Sequence, residues 1–145
     1  MHRERRLVPY PADLMYRVVA DVEHYPDFLP WVLALRVKSR NQNQVIAEML
    51  VGYRGLRERY TSRVTLDPRQ RRIDVEQADG PFRYLQNHWQ FMPRDSSCEV
   101  DFAIDFAFKS RILGAVASAA FEKALLKMTD AFEARAKKLM EEDAV

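Results

Sequence analysis

Three histidines, one cysteine and a few carboxylates are the side chains with which this 145-residue chain could do chemistry. Their spacing does not assemble a reactive site. His2, His24 and His88 fall in three separate stretches, without the short repeats that bring imidazoles or thiols onto one metal. His88 stands between Gln86 and Gln90, a polar row suited to hydrogen bonding at a surface. His24 precedes Tyr25-Pro26 and reads as a turn residue. Cys98 follows a polar loop with nothing to suggest a lowered thiol pKa, so it reads as a bystander rather than a nucleophile. As the single cysteine it forms no intramolecular disulfide, which suits a reducing compartment. Gly52 and Gly55 flank Tyr53-Arg54 and read as a turn between strands, not as a phosphate loop. Two carboxylates, Glu48 and Glu58, alternate with apolar neighbours. Turned inward near Arg59 or Tyr60, either would have a perturbed pKa and could serve as an acid or base. Turned outward, each would pair with a cation on a neighbouring strand. Alternation alone leaves both orientations open.

The aromatic inventory says more. Phe28, Trp31, Tyr53, Tyr60, Trp89, Phe91, Phe106, Phe108, Phe121 and Phe132 all fall where a sheet or helix could line an interior. Singly, each is an ordinary core residue. As a set they suit an apolar pocket with a few polar groups.

The element that must organise such an interior is the last third of the chain, from about Ser110 to Glu142. It lacks proline and places Leu113, Val116, Phe121, Leu125, Met128, Phe132 and Leu139 at helical spacing, with charges on the other face. A helix of roughly 30 residues spans about 45 Å. Its early turns are small: Gly114, then Ala117, Ser118, Ala119 and Ala120. Glycine there weakens the helix by about 1 kcal/mol relative to alanine. Ala117 and Ala120 either leave room above the sheet for a ligand beside Phe121 or simply permit close packing.

Before that helix come a strand near Arg3–Val8 and a short helix carrying Leu14, Met15, Val18 and Val19, with Pro11 at its start. The corner from Glu23 to Trp31 follows, where two prolines allow one further helical turn. From Trp31 to Phe108 the pattern switches to period two, broken at Asn41–Asn43, Asp67–Gln70, Gly80-Pro81 and Pro93–Ser97. The last strand alternates most clearly, with Val100, Phe102, Ile104, Phe106 and Phe108 on one face. Short connections predict an antiparallel meander, and the terminal helix is the one element long enough to cover it. The reading is an α+β fold in a single domain spanning residues 1–145.

The bulk numbers fit one globular domain: 48% hydrophobic residues, four glycines and no low-complexity tract. Net charge is +2, but residues 1–94 carry 16 Lys and Arg against 11 Asp and Glu, while residues 95–145 carry 7 against 10. An outer sheet face in solvent accounts for the excess, and weak attraction to anionic lipid or RNA is the sharper reading. No apolar run approaches 18 residues and no signal segment leads the chain, so a cytoplasmic monomer is expected.

Several stretches in order resemble a known family. Val19-Ala20-Asp21-Val22-Glu23-His24-Tyr25-Pro26-Asp27-Phe28-Leu29-Pro30-Trp31 resembles the signature of the coenzyme Q-binding START-like family. Ala47–Tyr53, Glu58–Val64 and Gly80–Trp89 match it further. That family lies within the START and polyketide-cyclase superfamily and includes bacterial ribosome association toxins. Many members carry cysteine where this chain has Val32, so no thiol role transfers to that position. The resemblance implies a helix-grip fold, in which about seven antiparallel strands curve around the C-terminal helix, with two short helices after the first strand. It implies a non-catalytic domain with no resident cofactor that holds ubiquinone or a related isoprenoid quinone in an apolar tunnel, in support of respiration. The aromatic set and the small turns of the helix give the candidate lining as Phe28, Trp31, Tyr53, Tyr60, Trp89, Phe91, Phe106, Phe108, Ala117, Ala120 and Phe121. Peripheral contact with the inner membrane goes with such a ligand. The alternatives are a toxin that binds the large ribosomal subunit and blocks subunit association, and a polyketide cyclase or aromatase using Glu48, Glu58 or Tyr60.

Overall fold

A computed structural model describes residues 1–53 and 56–143. In chain order it contains β1 (His2–Val8), α1 (Ala12–Ala20), a 3-10 turn (Val22–His24), α2 (Tyr25–Phe28), β2 (Val32–Arg40), β3 (Gln44–Tyr53), β4 (Leu56–Asp67), β5 (Arg72–Asp79), β6 (Phe82–Arg94), β7 (Ser97–Phe108) and α3 (Arg111–Asp143). The seven strands form one antiparallel sheet in the order β1-β7-β6-β5-β4-β3-β2. Hairpins join β2 through β7, so five of the six pairings are between sequence neighbours. The sixth returns β1 to β7, with His2 opposite Ile104 and Val8 opposite Cys98. This is the helix-grip architecture expected from the sequence.

The two faces of the sheet follow from alternation. On β3, Val45, Ala47 and Met49 are buried; on β6, Leu85, Asn87, Trp89 and Phe91; on β7, Cys98, Val100, Phe102 and Ile104. These side chains share the concave face. On the convex face, arginines meet carboxylates directly across the ladder. Arg36 pairs with Glu48 at 3.2 Å and Arg63 with Glu76 at 2.7 Å, each pair in cross-strand register. The arginine excess of the sheet region is thus largely an outer face with its own counter-charges. Register shifts place extra residues in β2, β5 and β6, and such bulges bend and twist the strands that carry them.

At the β5–β6 turn the Gln77 amide bridges the chain reversal: its Nε2 donates to the Phe82 carbonyl at 2.7 Å, and its Oε1 accepts from the Phe82 N–H at 2.9 Å. Gly80 lies beneath this bridge at φ +153°, and a Cβ there would stand 2.6 Å from Gln77 Oε1. Glycine is required by both conformation and space.

Helix α1 buries Ala12, Met15, Val18 and Val19. Pro26 sits in the first turn of α2, where a missing N–H costs nothing. The Tyr25 hydroxyl donates to the Val19 carbonyl, tying α2 back to α1. α3 crosses the concave face. Its C-terminal half is fastened to β1 by Arg6, which reaches Asp130 and Glu133, and by a hydrogen bond of 3.3 Å between Thr129 and Glu4. Val116, placed on the inward stripe by the sequence pattern, is instead 61% exposed. Its neighbour Ala117 is the residue that turns inward.

Candidate functional site

Between the concave face and α3 lies a cavity of about 200 Å³. Its floor is built by alternation: Met49 and Val51 from β3, Tyr60, Ser62 and Val64 from β4, and Leu85, Asn87 and Trp89 from β6. Its roof is one face of α3, where Ala117, Ala120, Phe121, Ala124, Leu125 and Met128 recur at helical spacing. Val22, Tyr25, Leu29 and Trp31 close one side. The lining grades in exposure. Val22, Leu29, Trp89, Leu125 and Phe132 are buried, whereas Trp31, Gly52, Glu58, Pro81, Phe108 and Ala120 are partly exposed. Tyr25, Val51, Tyr60, Val75, Phe121, Ala124 and Met128 are half-buried as well, and the mouth is placed by position, at the end of the sheet where β7 passes into α3.

Polar atoms in the cavity are few and most are already engaged. Asn87 Nδ2 donates to the Ala103 carbonyl at 2.9 Å, and Asn87 Oδ1 accepts from Trp89 Nε1 at 2.9 Å. The Tyr25 hydroxyl is spent on Val19. Among the described residues the hydroxyls of Tyr60 and Ser62 make no side-chain hydrogen bond, and both residues line the cavity. Burial pushes the Tyr60 phenol above the ordinary tyrosine range, so near neutral pH it is an uncharged donor. Glu58 is the one carboxylate among the lining residues and stands in the partly exposed group. Glu48 faces the convex side, paired with Arg36. The two orientations left open by the sequence are therefore divided between these glutamates.

Of the eleven residues singled out from the sequence, Trp31, Tyr60, Trp89, Phe108, Ala117, Ala120 and Phe121 come together around the cavity. Three others lie behind its walls. Phe28 packs on Tyr25 and Phe132, with the Arg135 guanidinium 5.3 Å from its ring. Phe91 is buried against Tyr16 of α1 and Trp89. Phe106 supports the lining from outside, 4.5 Å between ring centroids from Phe121. The Tyr53 side chain lies outside the described residues. Asn87, Leu85 and the residues of the α2 corner were missed. Period two from Trp89 assigns Leu85 and Asn87 to its face.

The reactive candidates are dispersed. His88 sits on the exposed convex face against Asp74, and His24 pairs with Asp21 at 2.7 Å. Hydrogen bonding to that carboxylate raises the His24 pKa. Cys98 is fully buried, and burial pushes its thiol up to about 11. Among the described residues no group of three His, Cys, Asp or Glu could hold a metal ion, and no helix is long and apolar enough to cross a membrane.

The geometry is that of an apolar container whose lining includes the hydroxyls of Tyr60 and Ser62. Residues 8–133 match the profile of the family described as polyketide cyclase / dehydrase and lipid transport. The ribosome association toxin RatA of Rickettsia prowazekii is 38% identical over 138 residues, covering 93% of this chain and 94% of that protein. The mitochondrial coenzyme Q-binding protein COQ10 of Drosophila melanogaster is 39% identical over 136 residues, covering 90% of this chain and 56% of that protein. The crystal structure of the Zhui aromatase/cyclase from Streptomyces sp. R1128 superposes with a TM-score of 0.84 at 22% identity, covering 94% of this chain and 93% of that one, which is a likeness of fold. The chain belongs to the polyketide cyclase / dehydrase and lipid transport family, and it is similar to proteins named RatA and COQ10.

Proposed function

We propose that this chain is a non-catalytic carrier of an isoprenoid quinone, held in the cavity beneath α3 in support of respiratory electron transport. The observation that carries the reading is the chemistry of the lining: nearly all apolar, with the uncharged hydroxyls of Tyr60 and Ser62 in it. A quinone ring offers carbonyl oxygens that accept from such donors, and its tail offers apolar surface worth about 25 cal/mol per Å² buried. The naming of COQ10 relatives for coenzyme Q supports the same ligand class. The volume, about 200 Å³, is below the roughly 300–1,000 Å³ of common small-molecule sites. It suits a ring and the first part of a tail, with the remainder leaving through the mouth. A catalytic reading as a cyclase needs an acid or base deep in the cavity, and Glu58 at its partly exposed end and neutral Tyr60 serve that role poorly.

Organic extraction of protein purified from a quinone-producing host, followed by mass spectrometry, is expected to recover a quinone. Folded protein that neither carries nor takes up any quinone would sink the proposal. Tyr60→Phe is expected to weaken quinone binding roughly fivefold, the effect of one hydrogen bond of about 1 kcal/mol. Binding of a polyprenyl hydrocarbon without carbonyls should not change.

A second reading, association with a ribosomal subunit, is favoured by RatA relatives that match across nearly the whole chain. Co-sedimentation with large subunits at low salt, lost steeply as salt rises, is its expected outcome. No co-sedimentation at any salt concentration removes it.

A further inference from the structure

The outward side of α3 at the cavity mouth is apolar where a solvated helix would be charged. Ile112 is 80% exposed and Val116 61% exposed, and Ala115 and Ala119 lie exposed beside them. No acidic residue occurs from Ser110 to Phe121. A third large apolar side chain, Leu33, is exposed at the register shift that follows Val32. The apolar surface is thus continuous with the cavity, because Ala117 and Ala120 of the same turns form the roof.

Cations without an ion pair gather at this rim, although Arg17, Lys38, Arg69 and the lysines of α3 also lack one among the described residues. Nine arginines in other parts of the molecule are held in ion pairs, among them Arg3, Arg6, Arg36, Arg63 and Arg72. At the mouth end Arg57, Arg59, Arg83, Lys109 and Arg111 are exposed, and no ion pair among the described residues involves them. The backbone brings three of these together: Lys109 N–H donates to the Pro81 carbonyl at 2.9 Å, next to Arg83 and two residues before Arg111. Glu58 and Asp79 are the carboxylates at this end of the sheet.

We infer that the mouth end docks on an anionic lipid bilayer, with Ile112 and Val116 entering the interface and Arg83, Lys109 and Arg111 on the headgroups. Exposed aliphatic side chains ringed by unpaired cations fit a surface with charge outside and hydrocarbon beneath. Nucleic acid answers the cations but gives the two aliphatic side chains nowhere to go. Docked in this way, the mouth opens onto the hydrocarbon, and a tail too long for the cavity never crosses water. The use of the surface for ligand transfer rests on the quinone-carrier reading. The docking itself does not.

The test is flotation of the ligand-free chain with phosphatidylcholine vesicles and with vesicles in which a third of the lipid is phosphatidylglycerol. The wild type is expected to float with the anionic vesicles and not with the neutral ones. Ile112→Glu combined with Val116→Glu, and separately Lys109→Glu combined with Arg111→Glu, should each reduce flotation at least tenfold. All four positions are exposed, so the circular dichroism of both variants should match the wild type, and quinone loading from detergent should be retained. A wild type that ignores anionic vesicles overturns the inference, as does a double-glutamate variant that floats undiminished. A dimer that Ile112→Glu separates would assign the face to a second copy instead. RNA binding abolished by the same aliphatic substitutions would assign it to nucleic acid. Flotation without any quinone loading would leave the docking surface standing and remove the carrier reading.

Discussion

Phe132→Ala is expected to lower the unfolding free energy by about 3–5 kcal/mol, the range for truncating a fully buried aromatic ring. Phe132 is 1% exposed on α3. Its ring centroid lies 5.3 Å from Tyr25, 5.5 Å from Phe28 and 5.3 Å from Trp89. One ring therefore joins the long helix to the α2 corner and to the floor of the sheet. Truncation removes all three contacts and leaves a void that these large neighbours fill poorly. Urea denaturation followed by circular dichroism measures the loss. A change below about 1 kcal/mol would mean that the corner repacks without this ring and that the clamp lies elsewhere.

The second large effect concerns the roof. Ala117→Phe is expected to reduce quinone loading at least tenfold while the folded state survives. Ala117 is 6% exposed and faces the cavity, so a phenyl ring there occupies space that the ligand would take. Ala119 is exposed on the opposite side of the same helix, and Ala119→Phe should leave loading from detergent unchanged. Both variants place the same ring on the same helix, so a difference between them reports direction alone. Equal loading of the two would put the ligand outside this cavity.

Why one alanine faces in and a nearby valine faces out bears on how much could be read from residues alone. The sheet was legible because alternation assigns a face without reference to any partner, and on β7 it did so from Val100 to Phe108. The long helix was legible from its length and lack of proline. Its inward face in the first turns was not. Bulk is a guide to burial only where the opposing surface is close, and above a cavity the inward positions go to small residues. Val116 was therefore assigned inward on size, although Ala117, Ala120 and Ala124 form the roof. Position along the sheet was equally hidden. Trp89 and Phe91 share a face and a strand, yet Trp89 floors the cavity while Phe91 lies beneath α1 against Tyr16. Alternation fixes the face of a residue and is silent on which helix crosses above it. The Phe28 side chain, drawn from a corner rich in aromatics, packs behind the wall for the same reason.

The pairing of β1 with β7 has a consequence for the order in which the molecule forms. The other five strand pairings join neighbours in the chain and need only short loops to close. The pairing of His2 with Ile104 closes a loop of about 100 residues, and contacts of that separation form late. Synthesis proceeds from the N-terminus, so β1 is the first strand made and the last to find its partner. Through most of translation its alternating charges, Arg3 and Arg5 on one side and Glu4 and Arg6 on the other, keep an unpaired strand soluble when it would otherwise be a template for aggregation. Docking of β1 then completes the sheet and supplies Arg6 and Glu4 to α3, so the strand made first and the helix made last are secured in a single closing step.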